Sequence, residues 1–100
     1  MGLTEADMHF LATLDHLIES RKDDVPENSY TAQLYHSGLD RILRKVGEEA
    51  AEVIIAAKNT SDHAFVGECA DLLYHLTVAL HARGLTLSAV DKELEKRHRG

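Results

Sequence analysis

The feature of this sequence that most constrains its fold is a long apolar stripe at helical spacing. Between Leu39 and Lys58, apolar residues recur every three or four positions. They are Ile42, Leu43, Val46, Ala50, Val53, Ile54 and Ala57. This spacing places them on one face of an α-helix about 30 Å long, so the helix requires a partner of comparable length along that face.

The following segment provides such a partner. Asn59–Asp62 is a short polar stretch that predicts a tight turn, with Ser61 or Asp62 as the cap of a second long helix from His63 to Ala82. Apolar residues occur on nearly every side of this second helix, a pattern typical of helices that pack against more than one neighbour. The two helices are therefore expected to form an antiparallel hairpin that packs against further helices.

Shorter helices are expected on either side of the hairpin. They are predicted at Thr4 to Arg21 with Thr4 as cap, at Tyr30 to His36 with Ser29 as cap, and from Thr86 or Ser88 to about His98. The chain has one proline, and its abundant Ala, Leu, Glu, Lys and Arg favour helices over strands. The predicted fold is all-α, an antiparallel helical hairpin with flanking shorter helices. Together they form one domain over residues 1–100, a helical bundle that dimerisation completes.

Net charge, cysteine content and hydropathy exclude several classes of protein. Eleven Lys and Arg against 17 Asp and Glu give a net charge of −6, which disfavours binding to nucleic acid or to an anionic membrane. Cys69 is the only cysteine, which excludes internal disulfides and multi-thiolate zinc sites. The longest apolar run, Val53–Ala57, is far too short to span a membrane. We expect a single-domain protein located in the cytoplasm.

Two pairs of carboxylates interrupt the apolar faces of the long helices. They are Glu49 and Glu52 on the first helix and Glu68 and Asp71 on the second. The members of each pair are three residues apart and therefore project from one face of a helix. In an antiparallel hairpin that turns near residue 60, the two pairs face each other. All four side chains should then converge in one place.

Four carboxylates in one place require a compensating charge. Two like charges 4 Å apart cost about 4 kcal/mol at an effective dielectric constant of about 20. Oxygen ligands without histidine or cysteine favour Mg²⁺, with Mn²⁺ as a substitute. The alternative is a solvated acidic face, because glutamate is also a good helix former. The pairing of both motifs about one turn favours the metal site.

Basic side chains lie on both sides of the first carboxylate pair. Arg41, Arg44 and Lys45 precede Glu49 by one to two turns, and Lys58 follows the pair. From these positions, cations would contact a polyphosphate bound beside the metal. Lys45 would alternatively form a helical ion pair with Glu49, four residues on, worth about 0.2–0.5 kcal/mol. The sequence favours neither interpretation of Lys45.

One of the seven histidines lies close to these motifs. His75 follows Asp71 by one helical turn and is a candidate base, a support for the metal ligands or a residue packed in the core. Packing is the preferred interpretation, for His75 and for the neighbouring Tyr74. The other six histidines lack the spacing of metal ligands and are predicted to lie on the surface.

Strings longer than the carboxylate pairs resemble a known family. They are Ser29–Ala32 (SYTA), Gly38–Glu52 (GLDRILRKVGEEAAE), Ala56–Asn59 (AAKN) and Glu68–Leu76 (ECADLLYHL). These strings resemble the phosphoribosyl-ATP pyrophosphatase family, part of the all-α NTP pyrophosphatase superfamily, and the resemblance covers about residues 8 to 97. It implies an enzyme that uses Mg²⁺ to hydrolyse phosphoribosyl-ATP to phosphoribosyl-AMP and pyrophosphate, the second step of histidine biosynthesis.

The same resemblance implies roles for individual residues. Mg²⁺ would be bound by Glu49, Glu52, Glu68 and Asp71. Glu48 would support these ligands or position a water molecule, and Glu48 or Glu52 would take a proton from that water. The catalytic candidates are thus Glu48, Glu49 and Glu52. The candidate substrate contacts are Lys45, Lys58, Asn59, Arg41, Ser29, Tyr30 and Thr31.

Two other functions remain open on the sequence. A pyrophosphatase of the same superfamily that acts on free deoxynucleoside triphosphates would use the same carboxylates. A non-catalytic helical dimerisation module, whose acidic cluster is merely solvated, would bind no Mg²⁺. Comparing turnover of phosphoribosyl-ATP with that of deoxynucleoside triphosphates distinguishes the first alternative from the phosphoribosyl-ATP pyrophosphatase. Stabilisation of the folded protein by Mg²⁺ distinguishes an enzyme from the non-catalytic module.

Overall fold

The computed structural model describes residues 9–99 and consists of helices joined by short turns. There are five α-helices: α1 (His9–Ser20), α2 (Tyr30–Ser37), α3 (Leu39–Ala57), α4 (Asp62–Ala82) and α5 (Leu87–Arg99). A single 3₁₀ turn at Pro26–Asn28 precedes α2. Residues 9–99 contain no strand, so the predicted all-α fold is confirmed. The predicted cap Thr4 lies outside the described residues.

Side-chain caps fix the starts of three helices where the sequence predicts them. The hydroxyl of Ser29 accepts the backbone N–H of Ala32 at 3.0 Å, and the hydroxyl of Ser61 accepts that of Ala64 at 3.1 Å. Thr86 caps α5 in the same way, at 3.1 Å from the N–H of Ala89. Each cap satisfies a donor that has no partner within its helix. The predicted starts of these helices are therefore confirmed to within one residue.

A glycine ends α4, as predicted. Gly84 adopts a φ of +77°, which side chains with a Cβ rarely tolerate. Its N–H donates to the carbonyl of His81 at 2.9 Å, and the N–H of Leu85 donates to that of Leu80 at 2.8 Å. This pair of bonds is a Schellman motif, which closes the helix and redirects the chain toward α5.

The long helices α3 and α4 form the predicted antiparallel hairpin and have the most extensive contact between any two helices. The core lies at the open end of the hairpin, where α1 and α2 cover it. It comprises Ile18, Leu34, Ile42, Val78 and Ala79, with Leu14, Val46 and Tyr74 packed around them. The turn between α3 and α4 lies at the opposite end, away from this core.

The apolar stripe of α3 is only partly buried. Ile42 and Ala56 are buried, whereas Leu43 and Ile54 are 49% and 63% exposed, as is Val66 on α4 at 64%. The stripe is wider than the contact with α4, and α1, α2 and α5 do not extend over the rest of it. Completion of the bundle by a second copy stays a prediction.

The prediction that six histidines lie on the surface is wrong for His81. This residue on α4 is 1% exposed, and its ring joins two carboxylates of α1. Nδ1 lies 2.6 Å from Glu19 Oε1, and Nε2 lies 2.6 Å from Asp15 Oδ1. The apolar residues around His81 gave no indication of its two polar partners, Glu19 and Asp15, which lie 62 and 66 residues away in the chain. We call Asp15, Glu19 and His81 the His81 cluster.

The His81 cluster also fixes α5. Asp15 accepts the backbone N–H groups of Leu87 at 2.8 Å and Ser88 at 3.1 Å, which are the first two residues of that helix. A carboxylate at this position satisfies unpaired donors and complements the positive end of the helix dipole. Three helices, α1, α4 and α5, therefore meet at one polar cluster. None of the helices in residues 9–99 is long and apolar enough to cross a membrane.

Candidate metal centre and substrate-binding site

Three carboxylates from the two long helices converge beside the hairpin. Glu49 on α3 and Glu68 and Asp71 on α4 each place an oxygen within 4.8 Å of the other two. Glu49 and Glu68 are half-buried and Asp71 is exposed, so the group is anchored in the protein and open to solvent on one side. Antiparallel packing about the turn at residues 58–61 produces this convergence. We call these three residues the carboxylate cluster.

Glu52, the fourth predicted ligand, lies outside this cluster but close to it. Desolvation, followed by the charges of Asp71, Glu52 and Glu49, raises the pKa of Glu68 above its ordinary value of 4.5. Glu52 therefore adds to the same negative field, although its oxygens are not among those within 4.8 Å of one another. A field of this kind favours a bound cation.

The carboxylate cluster fits a hard divalent cation. Oxygens bound to one Mg²⁺ at about 2.1 Å lie at most about 4.2 Å apart, so small side-chain rotations would allow all three residues to share an ion. All three donors are carboxylates, which suit Mg²⁺ or Mn²⁺ better than zinc. Among the side chains that the structure describes, those of residues 10–99, this is the only such group of three or more histidine, cysteine, aspartate or glutamate residues.

Lys45 lies directly beside the carboxylate cluster. Its Nζ is 3.3 Å from Glu48 Oε1 and 3.5 Å from Glu49 Oε1. The hydrogen bond to Glu48 is the largest of several effects that raise the pKa of Lys45, against an opposing effect of desolvation. The predicted helical ion pair is thus present, and it places a fixed positive charge next to a candidate metal ligand. A contact from Lys45 to phosphate stays a prediction.

The structure does not bring the other predicted basic contacts next to the carboxylate cluster. Arg41 and Lys58 are exposed on either side of Glu49, eight and nine residues away along α3. At 1.5 Å per residue these positions are about 12 and 14 Å distant along the helix axis. Asn59 is exposed in the turn beyond Lys58. Only an extended substrate lying along α3 would reach these side chains.

The three predicted contacts at the start of α2 have different environments. The Ser29 hydroxyl is occupied as the helix cap, and the Thr31 side chain is buried and hydrogen-bonded to the hydroxyl of Tyr74. Tyr30 is 42% exposed, and its hydroxyl lies 2.9 Å from His75 Nε2. Tyr30 is therefore the one of the three whose side chain is accessible to a substrate.

Aromatic rings connect α2 to α4 at this point. Tyr30 stacks on Tyr74 with ring centroids 6.2 Å apart and an interplanar angle of 24°, and both rings meet His75 edge to face, at 5.7 and 5.0 Å. His75 is buried, so the predicted packing role is confirmed. The hydrogen-bond partner of His75 could not be predicted from local sequence, because Tyr30 is 45 residues away.

Comparison with known proteins identifies the family. Residues 11–98 match the family described as phosphoribosyl-ATP pyrophosphohydrolase. The chain belongs to this family. It is 53% identical over 91 residues to the phosphoribosyl-ATP pyrophosphatase of Leptospira biflexa, a match that spans 91% of this chain and 99% of that protein.

Other relatives agree with this assignment. The phosphoribosyl-ATP pyrophosphatase of Trichlorobacter lovleyi is 50% identical over 92 residues, which are 92% of this chain and 85% of that protein. The histidine biosynthesis bifunctional protein HisIE of Halalkalibacterium halodurans is 51% identical over 89 residues, 89% of this chain but only 42% of that protein. The strings that resemble the phosphoribosyl-ATP pyrophosphatase family form the carboxylate cluster and the aromatic contact between α2 and α4.

Proposed function

We propose that the protein hydrolyses phosphoribosyl-ATP to phosphoribosyl-AMP and pyrophosphate, as the second step of histidine biosynthesis. The observation that carries this proposal is the convergence of Glu49, Glu68 and Asp71 in a chain that belongs to the phosphoribosyl-ATP pyrophosphohydrolase family. Three oxygen ligands open to solvent on one side suit a metal ion that also contacts a polyphosphate. The names of the relatives point to the same substrate and pathway.

The proposed cofactor is Mg²⁺, with Mn²⁺ as a substitute. Glu49, Glu68 and Asp71 would hold the ion, and Glu52 would join them after a side-chain rotation. Bound Mg²⁺ supplies Lewis-acid stabilisation of charge on phosphoryl oxygens and lowers the pKa of bound water. The raised pKa of Glu68, caused by desolvation and by the neighbouring carboxylates, supports a cation at this point.

The remaining residues of the proposed site bind substrate and move a proton. Lys45 lies beside Glu49 and would contact the triphosphate, whose negative charge it offsets. Glu48 or Glu52 would accept the proton of the attacking water. Glu48 already accepts a hydrogen bond from Lys45, which orients its carboxylate. Arg41, Lys58 and Asn59 would contact parts of the substrate that extend along α3 in either direction.

We also propose that the protein acts as a homodimer in the cytoplasm. The exposed side chains of Leu43, Ile54 and Val66 support the dimer, because apolar surface of this extent on two long helices is typical of an interface. The single cysteine is consistent with a reducing compartment. Sedimentation of the purified chain would test the dimer directly.

The decisive experiment measures pyrophosphate release from phosphoribosyl-ATP with and without Mg²⁺, beside a panel of deoxynucleoside triphosphates. We expect rapid, Mg²⁺-dependent release from phosphoribosyl-ATP and its loss in Glu49→Gln. Glu93→Gln removes a carboxylate from an exposed ion pair on α5 and serves as the matched control. Preference for a deoxynucleoside triphosphate would replace the proposed substrate and keep the carboxylate site.

Stabilisation by Mg²⁺ separates an enzyme from a non-catalytic helical module. An ion at 100 times its dissociation constant stabilises the folded state by about 2.7 kcal/mol. We expect the thermal midpoint to rise with Mg²⁺ in the wild type and in Glu93→Gln, and to remain unchanged in Glu49→Gln. A wild-type protein that neither gains stability nor releases pyrophosphate would contradict both the site and the activity.

A further inference from the structure

His75 makes two directed hydrogen bonds from a buried position on α4. Its side chain is 6% exposed, and Nδ1 lies 2.8 Å from the backbone carbonyl oxygen of Asp71. A carbonyl oxygen only accepts hydrogen bonds, so Nδ1 carries a proton and donates it. The bond fixes the orientation of the imidazole ring relative to the helix that holds Glu68 and Asp71.

The opposite nitrogen determines the orientation of Tyr30. In a neutral ring with its proton on Nδ1, Nε2 has a lone pair and accepts, so the Tyr30 hydroxyl, 2.9 Å away, donates to it. Edge-to-face contact of the two rings, at an interplanar angle of 77°, restricts Tyr30 further. One chain of contacts therefore runs from the Asp71 carbonyl through His75 to Tyr30.

Two hydrogen bonds thus connect the Tyr30 hydroxyl, through the His75 ring, to the backbone of Asp71, which is a member of the carboxylate cluster. The Tyr30 ring is stacked on Tyr74 and remains 42% exposed. A half-exposed ring held in this way offers a surface against which a bound nucleotide can pack.

We propose that His75 is a positioning residue, which holds Tyr30 as a substrate-facing wall next to the carboxylate cluster through hydrogen bonds to the Asp71 carbonyl and the Tyr30 hydroxyl. The inference rests on the proposed function, because it assigns Tyr30 and His75 to the binding of the same substrate. His75 itself does not contact the substrate. Its role is to set the affinity for phosphoribosyl-ATP without taking part in the hydrolytic step.

Steady-state kinetics of matched variants test this role. Tyr30→Phe removes the hydroxyl and keeps the ring, and His75→Phe keeps the ring volume and removes both hydrogen bonds. We expect either change to raise KM for phosphoribosyl-ATP about three- to tenfold, the equivalent of one neutral hydrogen bond, with kcat changed less than about twofold. The double variant should be no worse than the poorer single variant, because both remove the same interaction.

Tyr35→Phe provides the control for a purely structural effect. Tyr35 also lies on α2, and its hydroxyl donates to the carbonyl of Ile18 at 3.0 Å, against the core and not to His75. Loss of this hydrogen bond in Tyr35→Phe should lower the stability of the protein and leave KM for phosphoribosyl-ATP unchanged. An equal rise in KM in Tyr35→Phe, or a fall in kcat alone in the Tyr30 and His75 variants, would overturn the inference.

A spectroscopic measurement tests the hydrogen bonds without substrate. Nitrogen-15 NMR of the histidine rings should show a proton on Nδ1 of His75, and Tyr30→Phe should shift the Nε2 resonance of His75, whereas Tyr35→Phe should not. An Nδ1 without a proton, or no shift in Tyr30→Phe, would overturn the inference even if His75→Phe failed to fold. Wild-type turnover with an unchanged KM in Tyr30→Phe would overturn the inference and leave the proposed function intact. Absence of wild-type turnover would instead overturn the proposed function.

Discussion

The raised pKa of Glu68 reflects the concentration of negative charge between α3 and α4. Desolvation is the largest cause of its raised pKa, and the charges of Asp71, Glu52 and Glu49 add to it. A raised pKa means that the ionised form of Glu68 is disfavoured, so any loss of neighbouring negative charge should lower the pKa. Glu52 offers the sharpest test, because it lies close to the carboxylate cluster without belonging to it.

We expect Glu52→Gln to lower the pKa of Glu68 in the metal-free protein. In the wild type, we expect saturating Mg²⁺ to lower the same pKa relative to the metal-free protein. Carbon-13 NMR of the Glu68 carboxyl group, followed as a function of pH, measures both effects. Glu93→Gln on α5 changes the net charge equally and should leave the pKa unchanged. A Glu68 pKa that does not respond to Glu52→Gln would remove Glu52 from the site.

A substitution at Lys45 can distinguish between two roles of this residue. One is to stabilise α3 through ion pairs, and the other is to contact the triphosphate of the substrate. Helical pairs of this type contribute about 0.2–0.5 kcal/mol each, and Lys45 makes two, with Glu48 and Glu49. Lys45→Met should therefore change the free energy of unfolding by no more than about 1 kcal/mol. If Lys45 contacts the triphosphate, KM for phosphoribosyl-ATP should rise at least about tenfold, since charge-assisted hydrogen bonds contribute about 1.5–3 kcal/mol.

The control for Lys45→Met is Arg97→Met, which breaks a comparable pair with Glu93 on α5. Urea unfolding and steady-state kinetics should show similar, small stability changes in the two variants and a raised KM in Lys45→Met alone. Equal kinetics in both variants would leave Lys45 with the ion pair as its only role.

At the scale of elements, Gly38 determines how α2 joins α3. It is the only residue between the two helices, with φ of 93° and ψ of 164°. This backbone region is essentially restricted to glycine, because a Cβ would be strained there. Nothing lies within 4 Å of a Cβ built at Gly38, so the strain comes from the backbone conformation and not from crowding.

We therefore expect Gly38→Ala to lower the free energy of unfolding by about 1–3 kcal/mol. Gly47→Ala is the matched change within α3, where φ is ordinary and a Cβ also meets nothing within 4 Å in this chain. It should raise stability by about 1 kcal/mol, because alanine is the better helix former. Urea denaturation followed by circular dichroism compares the two, and a stabilising Gly38→Ala would contradict the argument.

The elements that could be predicted from sequence are those specified by local rules. Ser29, Ser61 and Gly84 act within four residues along the chain, and the periodicity of α3 and α4 required a hairpin. The convergence of Glu49 with Glu68 and Asp71 followed from that hairpin alone. Glu52 lies outside the group although Glu68 and Asp71, at the same three-residue spacing, both belong to it, so spacing along a helix does not determine which carboxylates meet.

Contacts that depend on the docking angle of a distant helix could not be predicted. Tyr30 meets His75, and Asp15 meets His81, across 45 and 66 residues of chain. The spacing of such polar residues along the chain does not predict which distant residue they will contact. His81, in addition, lies within an otherwise apolar stretch. Only the packing of α1 and α2 on the hairpin reveals these pairs.

At the scale of the whole molecule, the His81 cluster should make the protein sensitive to acid. Burial alone would raise the pKa of Asp15, but hydrogen bonds from Leu87, His81 and Ser88 outweigh it and lower the pKa below its ordinary 3.8. The hydrogen bond with His81 likewise lowers the pKa of Glu19 below 4.5. The stability that these carboxylates contribute is present above those ordinary values and is lost as pH falls through the lower, folded-state values.

Asp15→Asn tests this linkage. We expect it to lower the free energy of unfolding at pH 7 by about 1.5–3 kcal/mol, the range for a hydrogen bond to a charged group, and to weaken the loss of stability below about pH 4. Urea denaturation between pH 3 and 7 measures both quantities. Asp23→Asn, the same change at an exposed position just after α1, should follow the wild-type profile. Parallel profiles for Asp15→Asn and the wild type would show that the cluster does not govern acid sensitivity.

The hairpin that holds the carboxylate cluster also has a consequence for the order of folding. Its two helices are neighbours in sequence, so their association closes only a short loop, whereas α1 reaches α4 and α5 through bonds that span 62–73 residues. Short-range contacts form fastest because they lose the least chain entropy. The scaffold of the site should therefore assemble early. During synthesis, α1 emerges from the ribosome first and completes its docking last, after α5 has followed it.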